Sequence, residues 1–321
     1  MIISTGATTG CCHLQLKSNS NVPKTLPAAL RETFAHSKRA LVTYRQTELK
    51  VRAKYSIWRF EIPAPPAFGQ TNRTIVFDYY GRRGGKPTPV IMVLPIAGGS
   101  YGLERHFASY FARHGLAAVI VHRQKLSRDF QRIEDINRLL TQTVLEHQQV
   151  IDWIEAQPEL DAARIGIFGV SMGAIKGALL TPLDERVKVA VLGLVGGDLP
   201  YILTRTTESG IAKRRMALLR EQHRSLSELE QELKQTITCD PNNLAPYVDA
   251  KKVLLVLAAF DTVVPIKKGR ELRAKMGNPE TIILPAGHYT ALVFLPYVQR
   301  QALGFIQKQF ARSSQPATTT R

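Results

Sequence analysis

A mostly parallel, doubly wound α/β sheet with an inserted helical cap is the fold class that this sequence predicts. Three observations lead there. First, short continuous apolar runs recur at Val90–Pro95, Leu116–His122, Arg164–Gly169, Val187–Val195, Val253–Ala259 and Thr281–Leu284. Runs of this length without polar alternation suit strands buried on both faces. Second, segments with helical periodicity lie between them, at Leu103–His114, Arg128–Gln157, Ile266–Met276 and Ala291–Phe310. Alternating strands and helices imply a parallel sheet with right-handed crossovers. Third, nearly sixty residues separate Val195 from Val253, more than one crossover helix needs.

Taken in order, residues 1–25 and 311–321 are polar and rich in Ser, Thr and Gly, and are expected to be disordered. From Leu26 to about Lys50 the spacing of Leu30, Phe34, Leu41 and Tyr44 predicts a helix docked on the domain. Tyr55–Ile62 alternates like a strand and stops at Pro63–Pro66. Thr74–Tyr80 is a second strand closed by a Gly/Arg turn, and the two are expected to pair antiparallel at the edge. Residues 26–310 then form one domain. Its cap, about 201–249, is expected over the C-terminal edge of the sheet, where it would form one wall of a pocket.

The 321 residues are 44% hydrophobic and 21% charged, a composition that supports a well-buried core. No apolar run of about 18 residues occurs, so no transmembrane helix is expected. The formal net charge is +17. Much of it precedes Glu61, where Lys17, Lys24, Arg31, Lys38, Arg39, Arg45, Lys50, Arg52, Lys54 and Arg59 face only Glu32 and Glu48. Such an arm is either a solubilising face or a contact for an anionic membrane surface. No nucleic-acid-binding motif accompanies it, so a specific nucleic-acid partner is not expected. Cys11, Cys12 and Cys239 are too few for a disulfide framework and lack metal-ligand spacing. The N-terminus lacks the basic start and apolar stretch of a secretion signal, while Thr9-Gly10-Cys11 faintly matches a lipoprotein cleavage site. Location stays open, with the cytoplasm as the default.

The chemistry is carried by Gly169-Val170-Ser171-Met172-Gly173, which fits G-x-S-x-G. The apolar strand Ile165–Phe168 runs into it and a helix-compatible segment follows, the strand–turn–helix setting of a nucleophile elbow. A hydroxyl needs a base, and the base an orienting acid. Asp261 follows the strand Val253–Ala259 and His288 follows the strand Thr281–Leu284, both just past the C-terminal strand ends where open α/β sheets place their sites. Asp198 is the rival for the acid, and Asp161 reads as a turn residue. The other histidines read as structural, although His223 in the cap is a candidate for the pocket. The oxyanion that forms during acyl transfer needs backbone donors. Met172 N–H is one, and the loop Pro95–Ser100 offers Ala97 N–H first and Ile96 N–H second. Gly98 permits close approach, and Gly98, Tyr101 and Tyr289 are the candidate substrate contacts.

On the elbow GVSMG, the acid in FDTVVP, the base in GHYT and the loop LPIAGGS, the chain from about Thr74 to Phe310 resembles the α/β-hydrolase superfamily. It is similar to the dienelactone-hydrolase and acetyl-esterase-like branches. The resemblance implies Ser171 as nucleophile, His288 as general base then acid, and Asp261 as the group orienting His288. One departure is Pro95-Ile96, where many esterases carry His-Gly at the start of the oxyanion loop. The expected activity is hydrolysis of a small-molecule carboxylic ester without metal or organic cofactor. An acyltransferase, a serine peptidase, and a non-catalytic binding protein on the same scaffold are the alternatives.

Overall fold

The computed structural model describes residues 14–17, 22–36, 45–65, 73–84, 86–123 and 134–313. Ten strands lie among them, β1 (Leu14–Leu16), β2 (Arg45–Val51), β3 (Tyr55–Pro63), β4 (Thr74–Arg82), β5 (Thr88–Leu94), β6 (Ala117–Val121), β7 (Leu160–Val170), β8 (Val187–Gly193), β9 (Val253–Ala258) and β10 (Glu280–Leu284). They form one sheet in the order β1-β10-β9-β8-β7-β5-β6-β4-β3-β2. The six central strands, β6 to β10 in that order, are parallel. Antiparallel strands close both sides, with β4, β3 and β2 beyond β6 and β1 beyond β10.

The helices are α1 (Ala28–Thr33), α2 (Gly102–Arg113), α3 (Glu134–Glu155), α4 (Met172–Leu183), α5 (Leu199–Arg205), α6 (Ser209–Glu221), α7 (Leu226–Thr236), α8 (Pro241–Leu244), α9 (Ile266–Lys275) and α10 (Leu295–Ser313). They cover the sheet unequally. On one face Trp153 and Val150 of α3, Leu179 of α4 and Leu272 of α9 bury into a core shared with Ile165, Ile167 and Leu255 of the strands. On the other, Phe107 and Phe111 of α2 and Ile306 and Phe310 of α10 meet Phe168, Val191 and Val256. Alternate residues of each central strand thus feed opposite cores, which is why these strands read as unbroken apolar runs.

Four expectations change at the periphery. The helix predicted over Leu26–Lys50 is only α1, six residues long, anchored by buried Phe34 and by His36 Nε2 at 2.6 Å from Asp152 Oδ2. Arg45–Val51 is instead the edge strand β2, exposed along its whole length. It is held by backbone pairing to β3, so side-chain periodicity carried no signal there. Leu41 and Tyr44 lie outside the described residues. Within the stretch expected to be a disordered leader, Leu14–Leu16 adds antiparallel to β10, and Lys24 N–H donates to Pro246 O at 2.9 Å. At the other end α10 runs through Ser313. The predicted β3–β4 pair exists but is interior, since β2 lies outside it. Of the basic arm, Arg59 is committed internally, its Nε and Nη2 donating to the Asp78 carboxylate at 2.8 and 3.1 Å.

Residues 199–249 form α5 to α8 and short 3₁₀ turns. Ser225 and Glu228 make a reciprocal capping box that starts α7. Leu229 and Leu233 of α7 bury into the same core as α3 and α4, and Asn137 of α3 accepts from the backbone N–H groups of Thr238 and Cys239. Leu229 and Leu233 therefore serve packing beside the sheet, while Leu226 is exposed.

Candidate active site

Strand β7 is buried from Ile165 to Gly169 and emerges at Val170. The chain then reverses at Ser171, which holds φ 53° and ψ −120°, a conformation that costs a non-glycine residue energy. Ser171 N–H donates to Gly193 O at 2.8 Å, and Ile175 N–H donates to Ser171 O at 3.0 Å, so the turn is pinned to β8 on one side and becomes α4 on the other. The flanking glycines are sterically required. A Cβ on Gly173 would sit 2.2 Å from Leu94 O, and one on Gly169 would sit 2.4 Å from the Gly173 carbonyl group.

The structure brings Ser171, His288 and Asp261 together. His288 Nε2 lies 3.1 Å from Ser171 Oγ, and His288 Nδ1 lies 2.8 Å from Asp261 Oδ2. A carboxylate oxygen only accepts, so Nδ1 carries the proton and Nε2 presents its lone pair to the serine hydroxyl. The other carboxylate oxygen, Asp261 Oδ1, accepts from the N–H groups of Val263 and Val264, both at 2.8 Å, in the turn that ends β9. Asp261 is buried, with both of its carboxylate oxygens hydrogen-bonded. Phe260 N–H donates to Ala286 O at 2.9 Å, tying the acid loop to the loop that carries His288.

Asp198, the rival acid, is employed elsewhere. It caps α5 and accepts from Lys268 Nζ at 2.7 Å. Asp161 is a turn acceptor for Ala163 N–H and Arg164. His106 bonds Gln299, His114 bonds Tyr110 O and His122 lies 3.2 Å from Asp78. Burial pushes the His147 imidazole down to about 3, so it is a neutral core residue. His223 is exposed at the end of α6, away from the cavity.

The loop after β5 is shaped by two charged residues that sequence patterns did not single out. Glu104 of α2 is buried, and its Oε1 accepts from Ile96 N–H at 2.8 Å. That corrects one expectation, because the Ile96 N–H is spent on Glu104 and is not turned to an oxyanion. Arg123, two residues beyond β6, donates to Ile96 O at 3.0 Å, to Gly98 O at 2.8 Å and to Gly99 O. The Ile96 carbonyl and the Ala97 N–H belong to one trans peptide and point in opposite directions. Drawing Ile96 O onto Arg123 therefore aims Ala97 N–H the other way, and Ala97 lines the cavity with Ser171. Met172 N–H, in the first turn of α4, is one of the amides a helix leaves without an internal acceptor.

Tyr101 is part of this clamp and not a cavity wall. Its hydroxyl accepts from Arg123 N–H at 2.8 Å, and its ring lies 4.1 Å beneath the Arg123 guanidinium. The signal available in sequence was only a charged residue just past the end of a central strand.

Ser171 and His288 open on a cavity of about 320 Å³, into which Ala97, Gly98 and Tyr289 also face. From the insertion expected to wall the pocket, Glu208 alone among the described residues reaches it. The wall on that side comes instead from the 3₁₀ turn at Thr290–Phe294 and the start of α10.

No family model and no curated protein matches the chain. Solved structures do. An acetyl xylan esterase from Paenibacillus sp. R4 superposes with a TM-score of 0.65 at 17% identity, covering 87% of this chain and 92% of that one. Acetyl xylan esterase 1 from Thermoanaerobacterium sp. JW/SL YS485 gives 0.64 at 15% identity, covering 91% and 96%. A cold-adapted esterase from an Arctic intertidal metagenomic library gives 0.54 at 19% identity, covering 81% and 96%. At these identities the likeness concerns architecture: the chain has the α/β-hydrolase fold.

Proposed function

We propose that the protein is a serine hydrolase that cleaves a carboxylic ester through an acyl-Ser171 intermediate. The observation that carries this is the unbroken relay from Asp261 through His288 to the hydroxyl of a strained serine at the mouth of a cavity. That the solved structures sharing the fold include esterases supports an ester as the substrate.

In this reading Ser171 Oγ attacks the ester carbonyl as His288 Nε2 takes its proton. The carbonyl oxygen becomes an oxyanion held by the N–H groups of Met172 and Ala97. The tetrahedral intermediate collapses, and His288 returns the proton to the departing alcohol. Water then attacks the acyl-enzyme as His288 Nε2 takes its proton, and the second tetrahedral intermediate expels Ser171 Oγ, which takes that proton back from His288 as the acid is released. Asp261 keeps the proton of His288 on Nδ1 and stabilises the imidazolium.

Labelling with a fluorophosphonate–biotin probe, followed by peptide mass spectrometry, tests the nucleophile without knowledge of the substrate. The adduct is expected on Ser171 and is expected to vanish in Ser171→Ala. A folded wild-type protein that stays unlabelled would overturn the reading.

Arg123 supplies a further prediction. Arg123→Met keeps the aliphatic stem over Tyr101 but removes the donors to three loop carbonyls. The loop then loses its aim more than its fold. We expect kcat on a p-nitrophenyl ester to fall by roughly 10- to 100-fold with KM nearly unchanged, somewhat less than loss of a whole oxyanion donor. A rise in KM with unchanged kcat would show that Arg123 acts on substrate binding instead.

A further inference from the structure

The cavity beside Ser171 penetrates one side of the sheet only. Its inner walls are Phe168 of β7, Val191 of β8, Val256 of β9 and Leu284 of β10, faced by Phe107 of α2. These are the strand positions that point toward α2 and α10, and each is between 0% and 3% exposed. The slot is thus floored by these buried side chains, between the strand ends and the two helices. Its outer end is open, where Tyr289 and Leu292 are 64% and 57% exposed. Among the described residues Glu208 is the one carboxylate along the lining. It caps α6 by accepting from Ile211 N–H at 2.7 Å.

We infer that this slot binds the acyl half of the substrate, and that the acyl group is an unbranched hydrocarbon chain of about eight carbons. The inference rests on the ester-hydrolase reading above. An alcohol must leave and water must enter during each cycle, which requires the open mouth. The acyl group stays attached to Ser171 throughout, which suits the apolar floor beside that residue. A volume of 320 Å³ equals roughly ten units of about 30 Å³, the share of one water in the liquid and close to that of one methylene. An acetyl group would leave most of the slot unfilled, although its walls offer water almost no hydrogen-bonding partners. A chain that fills it gains up to about fourfold in transition-state binding for each methylene withdrawn from water.

Ala291, in the 3₁₀ turn at the slot wall, is the position for a test. It is partly exposed, so a larger side chain there fills the slot without overpacking the core. The experiment is a p-nitrophenyl ester series from acetate to dodecanoate on wild type and Ala291→Phe, with alkylboronic acids as a readout that needs no turnover. Wild type is expected to gain at least about 100-fold in kcat/KM from acetate to octanoate, then to lose at dodecanoate. Ala291→Phe is expected to cut the octanoate-to-acetate ratio of kcat/KM at least about 30-fold. Octylboronic acid is expected to bind wild type at least about 30-fold more tightly than methylboronic acid by calorimetry, and the ratio is expected to shrink in Ala291→Phe. Ester turnover with no chain preference, or an equal loss on every chain in the variant, would overturn the slot assignment and leave the hydrolase reading intact. Boronic-acid selectivity without cleavage of any ester would overturn the hydrolase reading and keep the slot.

Discussion

Ser171→Ala and His288→Ala are each expected to lower kcat by roughly 10⁶, and the double variant by little more than either alone, because the two groups act as a unit. The relay in this protein gives the reason. His288 Nε2 has one acceptor role, toward Ser171 Oγ at 3.1 Å, and Ser171 has no other base within its hydrogen-bonding reach among the described residues. Asp261→Asn separates orientation from charge. In the native site Oδ1 accepts two backbone N–H groups and Oδ2 accepts from His288 Nδ1. Asparagine must keep its carbonyl oxygen toward Val263 and Val264, since an NH₂ there would oppose two donors. Its amide N–H then faces Nδ1 and forces the proton of His288 onto Nε2, where it cannot act as base. We expect roughly a 10⁴-fold loss in kcat with the melting temperature nearly unchanged. Steady-state kinetics beside thermal melts check all four variants. Activity within tenfold of wild type in Asp261→Asn would mean that the proton position is not set by Asp261.

The contrast between what was and was not legible in the sequence follows from where each contact is made. Val253–Ala258 and Ile165–Val170 read directly because both strand faces are buried, so every position had to be apolar. Asp261 and His288 read because parallel-sheet topology places each within a few residues of a strand end, which makes chain order a proxy for space. The edges β1 and β2 did not read. Their partners are backbone groups of β10 and β3, so the sequence of Arg45–Val51 needs no pattern at all. Glu104 and Arg123 were missed for a related reason. Each acts on the loop carrying Ala97 only after α2 and β6 have packed beside β5, and nothing local marks a carboxylate that meets Ile96 N–H eight residues away. The insertion misled because its leucines fit two outcomes. Leu229 and Leu233 turned inward to the core, and the slot was walled by residues 289–298 instead.

The second large effect is expected at the elbow itself. Gly173→Ala places a methyl group 2.2 Å from Leu94 O and 3.2 Å from Pro95 O. Both obstacles are backbone, and Leu94 is the buried end of β5, bonded in the middle of the sheet beside β7. No side-chain rotation relieves the clash, so either α4 moves away from β5 or the strand bends. Overpacking of this kind costs about 3 kcal/mol when the surroundings cannot yield. For a chain of this size that corresponds to a fall of about 5 °C in melting temperature. The displacement also moves Met172 N–H, one of the two proposed oxyanion donors, so activity should fall further than stability. Gly193→Ala is the matched control. Its Cβ would meet Val170 Cγ2 at 3.5 Å and Gly169 O at 3.6 Å, ordinary contacts, although it borders the same serine. We expect Gly193→Ala to melt within about 1 °C of wild type. Equal melting of the two variants would show that the β5–α4 approach is looser than the backbone distances require, and that the strain at Ser171 is maintained from the β8 side alone.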